Sequence, residues 1–139
     1  MDSKKELEIE AIKRFVIKER RPRILALIAD RNVGEGFGYL AHFVRYLDLR
    51  YFKKVPSMSS DREIDFILNE IKQHTSHKRC HVMSEDKSID GVEMDLKGAL
   101  NEIVGSGSGS LLILEKGKIV YYESEEMKER YVGVRMDMW

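Results

Sequence analysis

Apolar positions along the chain recur with two different periods, and the change falls near residue 80. In the first part the period is helical. Leu7, Ile9, Ile12, Phe15 and Val16 share a face, with Glu10, Lys13, Arg14 and Lys18 opposite, and Ser3-Lys4-Lys5-Glu6 ahead of them has the form of a capping box. A helix over residues 4–20 is expected. Pro22 interrupts it, and the short apolar run Ile24–Ala29 reads as a second, buried helix opened by that proline, with a strand as the alternative. After a glycine-rich loop, Leu40, Phe43, Val44 and Leu47 predict a third helix over 37–48, and residues 49–60 a connecting loop. Ser60-Asp61-Arg62-Glu63 is a second capping box. Ile64, Ile67, Leu68 and Ile71 behind it make the clearest amphipathic helix in the chain.

Beyond residue 80 the pattern shortens. His81-Val82-Met83-Ser84 reads as a strand and Glu85–Gly91 as a polar turn. Asp95 reads as the N-cap of a helix bearing Leu96, Ala99, Leu100, Ile103 and Val104, with Gly105 as its stop. The runs Leu111–Glu115 and Lys118–Tyr122 around Lys116-Gly117 form a hairpin signature, and Arg130–Arg135 a last strand. The fold expected is α+β: N-terminal helices packed with a small, mostly antiparallel C-terminal sheet, residues 1–139 forming one domain.

Composition agrees with this and narrows the function. At 42% hydrophobic and 35% charged, the 139 residues are globular in make-up, and no apolar run approaches the roughly 20 residues of a membrane span. One cysteine excludes an internal disulfide framework, and the charged N-terminus lacks a signal peptide's apolar stretch, so a cytoplasmic setting is expected. Net charge is zero, but unevenly distributed: residues 1–54 carry 13 basic and 8 acidic side chains, residues 80–139 carry 7 and 12. Opposite halves can attract each other within one chain or between two.

The run S-E-D-K-S-I-D-G-V-E-M-D-L-K-G-A-L at 84–100, V-G-S-G-S-G at 104–109, G-K-I-V-Y-Y-E at 117–123 and R-Y-V at 130–132 resembles a group of small uncharacterised bacterial proteins over residues 80–135. The resemblance implies a bacterial or phage-related single-domain protein and a native Gly-Ser loop at 105–110. It implies no activity and no catalytic residues.

Four clusters could carry chemistry. His74, His77, Cys80 and His81 offer imidazole and thiolate ligands for zinc, although all four lie in one segment with Lys78 and Arg79 between them. The carboxylates Glu85, Asp86, Asp90, Glu93 and Asp95, with Lys97 and Glu115, could hold magnesium in a hydrolase or nuclease. Gly34-Glu35-Gly36-Phe37-Gly38 departs from a dinucleotide loop because Tyr39 takes the place of its last glycine. The fourth cluster interleaves six of the twelve aromatics, Phe37 to Phe52, with Arg45, Arg50, Lys53 and Lys54. Such a surface suits unpaired nucleic acid or a protein hot spot, and zero net charge favours protein.

The expectation drawn from these readings is a non-enzymatic interaction or regulatory domain, inhibitor- or immunity-like. Its contact surface would comprise Tyr39, Tyr46, Arg50, Tyr51, Phe52, Glu125 and Glu126. Its partner would be a protein, a second copy of the chain included, with nucleic acid disfavoured, no membrane and no cofactor. The alternative is a metal-dependent hydrolase or nuclease built on residues 74–95, in which zinc or magnesium would enter.

Overall fold

The computed structural model describes residues 3–125 and 129–136. Its centre is a six-stranded, wholly antiparallel sheet in the order β1-β6-β5-β4-β2-β3, formed by β1 (Phe52–Lys54), β2 (Arg79–Ser84), β3 (Glu93–Asp95), β4 (Ser110–Leu114), β5 (Ile119–Glu123) and β6 (Arg130–Val134). The α+β class is as the sequence indicates, but helices cover both faces of the sheet. Helices α1 (Ser3–Phe15) and α2 (Arg21–Asp30), with the 3-10 segment Gly38–Tyr46, pack on one face, and α3 (Ser60–Lys72) and α4 (Leu96–Ile103) on the other.

Strand alternation builds these two cores. Along β4, Leu112 and Leu114 face α3 and α4 while Leu111 and Ile113 face the N-terminal helices. Along β5, Ile119 and Tyr121 go one way, Val120 and Tyr122 the other. A strand buried on both sides must be apolar at every position, which is why β4 and β5 read as unbroken runs. In β2, Cys80 and Val82 join one core, while His81 and Met83 turn to the opposite face.

Several elements depart from the helical and loop patterns. α1 ends at Phe15, and Val16 pairs with Leu47 in an isolated bridge. The expected helix over 37–48 is a 3-10 segment kinked at His42 (φ −123°, ψ 33°). The Tyr122 hydroxyl causes this break: it donates to the Leu40 carbonyl (2.7 Å) and accepts from the Phe43 amide (2.9 Å), replacing the backbone bond that those two groups would make. The expected 49–60 loop contains a 3-10 turn (Leu49–Tyr51) and β1, whose pairing with β6 no local pattern could announce. The hairpin turn at Lys116-Gly117 is four residues long, Glu115–Lys118, with positive φ at the first three.

Candidate functional site

Among the described residues, the buried charges form two clusters, one on each face of the sheet. α1 presents the stripe Glu8-Ala11-Ile12-Phe15 to the core, so that a carboxylate takes a position otherwise suited to an apolar side chain. Arg31, at the C-terminal end of α2, meets both Glu8 oxygens through Nε and Nη2, at 2.9 Å each, and both Asp90 oxygens through Nη1 and Nη2, also at 2.9 Å. Asp90 further accepts the amides of Gly34, Gly36 and Ser84. His81 completes the cluster with Nε2 2.7 Å from Glu8 Oε2, while its buried Nδ1 has no hydrogen-bond partner among the described residues. Burial pushes the Glu8 and Asp90 carboxyls up, but Arg31 outweighs it with help from His81 at Glu8 and from backbone amides at Asp90, and both end below their ordinary range.

On the opposite face Arg130 Nη1 lies 2.5 Å from Glu63 Oε1, and Arg130 Nε lies 3.3 Å from Glu123 Oε1. Glu63 also accepts the Met58 amide. The expected capping box is therefore absent, since Glu63 uses its carboxylate in this tertiary pair and Ser59, not Ser60, stands at the N-cap. Glu123 accepts the Tyr121 hydroxyl (2.8 Å) and the Gly105 amide (3.1 Å). Burial nonetheless raises its carboxyl above the ordinary range, with Tyr121, Arg130 and Gly105 acting against it.

These clusters account for part of the segment from which a metal site was expected. The histidines and cysteine do not converge. Cys80 and His81 point to opposite faces of the sheet, His74 is exposed, and His77 is exposed beside Glu115, with Nε2 3.8 Å from Oε2. Burial, followed by the charge of Asp95, pushes the Cys80 thiol up to about 12. The carboxylates are likewise separately engaged. Glu85 accepts the Gly109 amide, Asp86 the Ser88 amide and hydroxyl, Glu93 pairs with Arg79, and Asp95 caps α4 by accepting from Gly98. No group of three or more His, Cys, Asp or Glu side chains is placed to hold a metal among the described residues.

The aromatic-basic segment is arranged differently. Tyr39 is 47% exposed; Tyr46, Tyr51 and Phe52 are half-buried, each resting one side on the N-terminal-helix core. Phe52 is the most committed of these, edge-on to Phe15 and Tyr131 and against Gly133. Tyr46 carries the guanidiniums of Arg20 and Arg45, each 5.9 Å from the ring centre, and Tyr51 carries Arg135 at 4.3 Å and Arg50 at 5.5 Å. Arg50 is bound through two nitrogens to Asp48. Arg20 and Arg45 are exposed and have no carboxylate partner among the described residues. The acidic loop after β5 joins this surface: the Glu125 amide donates to Ala41, and His42 Nε2 lies 3.3 Å from Glu125 Oε1. Glu126 lies outside the described residues.

Sequence reading missed Glu8, Arg31, Glu123 and Arg130 as structural participants, and gave Glu63 a capping role in place of its ion pair with Arg130. One signal was available for Glu8, its i, i+3, i+4, i+7 spacing with Ala11, Ile12 and Phe15. Compared with protein-family models, curated proteins and solved structures, the chain matches none. No helix among the described residues is long and apolar enough to cross a membrane.

Proposed function

We propose that this chain is a non-enzymatic interaction domain, regulatory or inhibitory in kind, that acts in the cytoplasm by presenting the arginine-tyrosine surface to an acidic protein partner. The observation that carries the reading is the pair of stacks Arg20-Tyr46-Arg45 and Arg50-Tyr51-Arg135, in which the rings are half-exposed and two of the cations lack carboxylate partners among the described residues. Tyrosine and arginine dominate binding hot spots because one offers a large rigid apolar face and the other a planar, weakly hydrated charge. The lone cysteine, buried and free, fits a reducing compartment. A second copy of the chain, whose C-terminal part is acidic, is one partner of the required chemistry.

Charge reversal at the two exposed arginines, Arg20→Glu with Arg45→Glu, tests this without disturbing the core. Sedimentation across a concentration series reads self-association, and affinity capture from the host followed by mass spectrometry reads other partners. The expected result is an association made by the wild type and lost in the variant. A wild type that stays monomeric and captures the same proteins as the variant would overturn the proposal.

A further inference from the structure

A cleft of about 620 Å³ opens at the end of the α3/α4 layer, where the segment following α3 passes the start of α4. We propose that it binds a small organic anion with an apolar body, an aromatic or branched phosphate or carboxylate. Its size is that of small-molecule sites in general. Leu68, Ile71 and Leu96 supply an apolar wall continuous with the core beneath α3 and α4. Lys72, Lys78 and Lys97 line the same cleft, all exposed and none ion-paired among the described residues.

The charge balance sets the sign of the ligand. Three lysines and one carboxylate, Asp95, line the cleft; Asp95 is already accepting the Gly98 amide, and the neighbouring Glu115 is engaged by Thr75 and His77. Like charges held together repel unless a counter-ion joins them, and each lysine offers three donors suited to phosphate or carboxylate oxygens. Thr75 is not available to the ligand, because its hydroxyl is shared between Glu115 and the His77 amide. This contact instead fixes the loop that places Ser76, His77 and Lys78 at the rim. The apolar wall distinguishes the site from a simple phosphate perch: an inorganic anion satisfies the lysines and leaves the half-buried Leu68, beside the nearly buried Ile71 and Leu96, without apolar cover.

The test is a heteronuclear NMR titration of the full chain with phenyl phosphate, run beside inorganic phosphate and benzyl alcohol. Phenyl phosphate is expected to give saturable shifts confined to amides around residues 68–78 and 95–98, with a Kd of about 1 mM or tighter. Each half-ligand is expected to bind roughly tenfold or more weakly, and Lys78→Glu with Lys97→Glu to weaken phenyl phosphate by at least about tenfold. Lys72→Glu, on the exposed side of α3, provides the same comparison in a second background. Absence of saturable shifts, shifts centred elsewhere, or an affinity unchanged by charge reversal would each overturn the proposal. Equal binding of inorganic phosphate would overturn the apolar half of it.

Discussion

Arg31 and Asp90 meet in a two-point contact inside the protein, Nη1 to Oδ2 and Nη2 to Oδ1, both at 2.9 Å, and so fasten the end of α2 to the turn between β2 and β3. The same guanidinium grips Glu8, leaving two buried carboxylates dependent on one cation. Replacing it, as in Arg31→Met, strands both. The expected loss is about 3–5 kcal/mol, read as a lower urea midpoint.

Acid should act through the same cluster. Glu8 and Asp90 are held below their ordinary 4.5 and 3.8, so the unfolded chain takes up protons at a higher pH than the folded one. Their contribution is complete above those values and is lost as pH falls through them and on through the lower folded values. Asp90→Asn also forfeits it at neutrality. The stability gap between wild type and Asp90→Asn, measured by urea unfolding, should be wide near about pH 7 and narrow toward about pH 3.

Glu123 should produce the opposite slope. Its carboxyl is raised above 4.5, mainly by burial, so in the window just above 4.5 the folded chain holds a proton that the unfolded chain has released. Stability contributed by Glu123 then declines as pH rises through that window, up to the raised folded value. In Glu123→Gln this decline should vanish. The measurement is the wild-type minus variant difference in unfolding free energy, which cancels the groups the two proteins share. A difference that does not vary with pH in that window would refute the assignment.

Gly109 is a packing requirement. A Cβ there would come within 2.5 Å of the Leu40 carbonyl carbon and oxygen and 2.7 Å of the Ala41 amide nitrogen, all backbone atoms. Gly109→Ala is expected to cost about 1–3 kcal/mol or more by forcing the 3-10 segment off β4. Gly38→Ala, with nothing within 4 Å of the added carbon, serves as the control, expected within about 0.5 kcal/mol of wild type by thermal unfolding.

The chain announces those elements whose cause is local. α3 follows from the spacing of Ile64, Ile67 and Ile71, and α4 from its Asp95 cap; α2 follows from Pro22 and the apolar run behind it. What it conceals has a distant cause. The 37–48 segment has helical spacing, but a tyrosine hydroxyl 79 positions from Phe43 breaks its ladder. Glu63 matches a capping box, yet an arginine 67 positions away claims it. The same holds for function: the spacing of His74, His77, Cys80 and His81 in sequence says nothing of which side of a sheet each will face. The cleft, too, joins lysines from α3, the following loop and α4, and no single motif contains them.

The two outermost strands, β1 and β3, are only three residues long each, about 10 Å of ladder at the usual rise, and β1 ends on the exposed pair Lys53-Lys54. The sheet is thus finite by construction. A newcomer laid along either margin finds too few backbone groups to hold it and, at β1, a charge on arrival, so copies of this chain can crowd together without one templating the next.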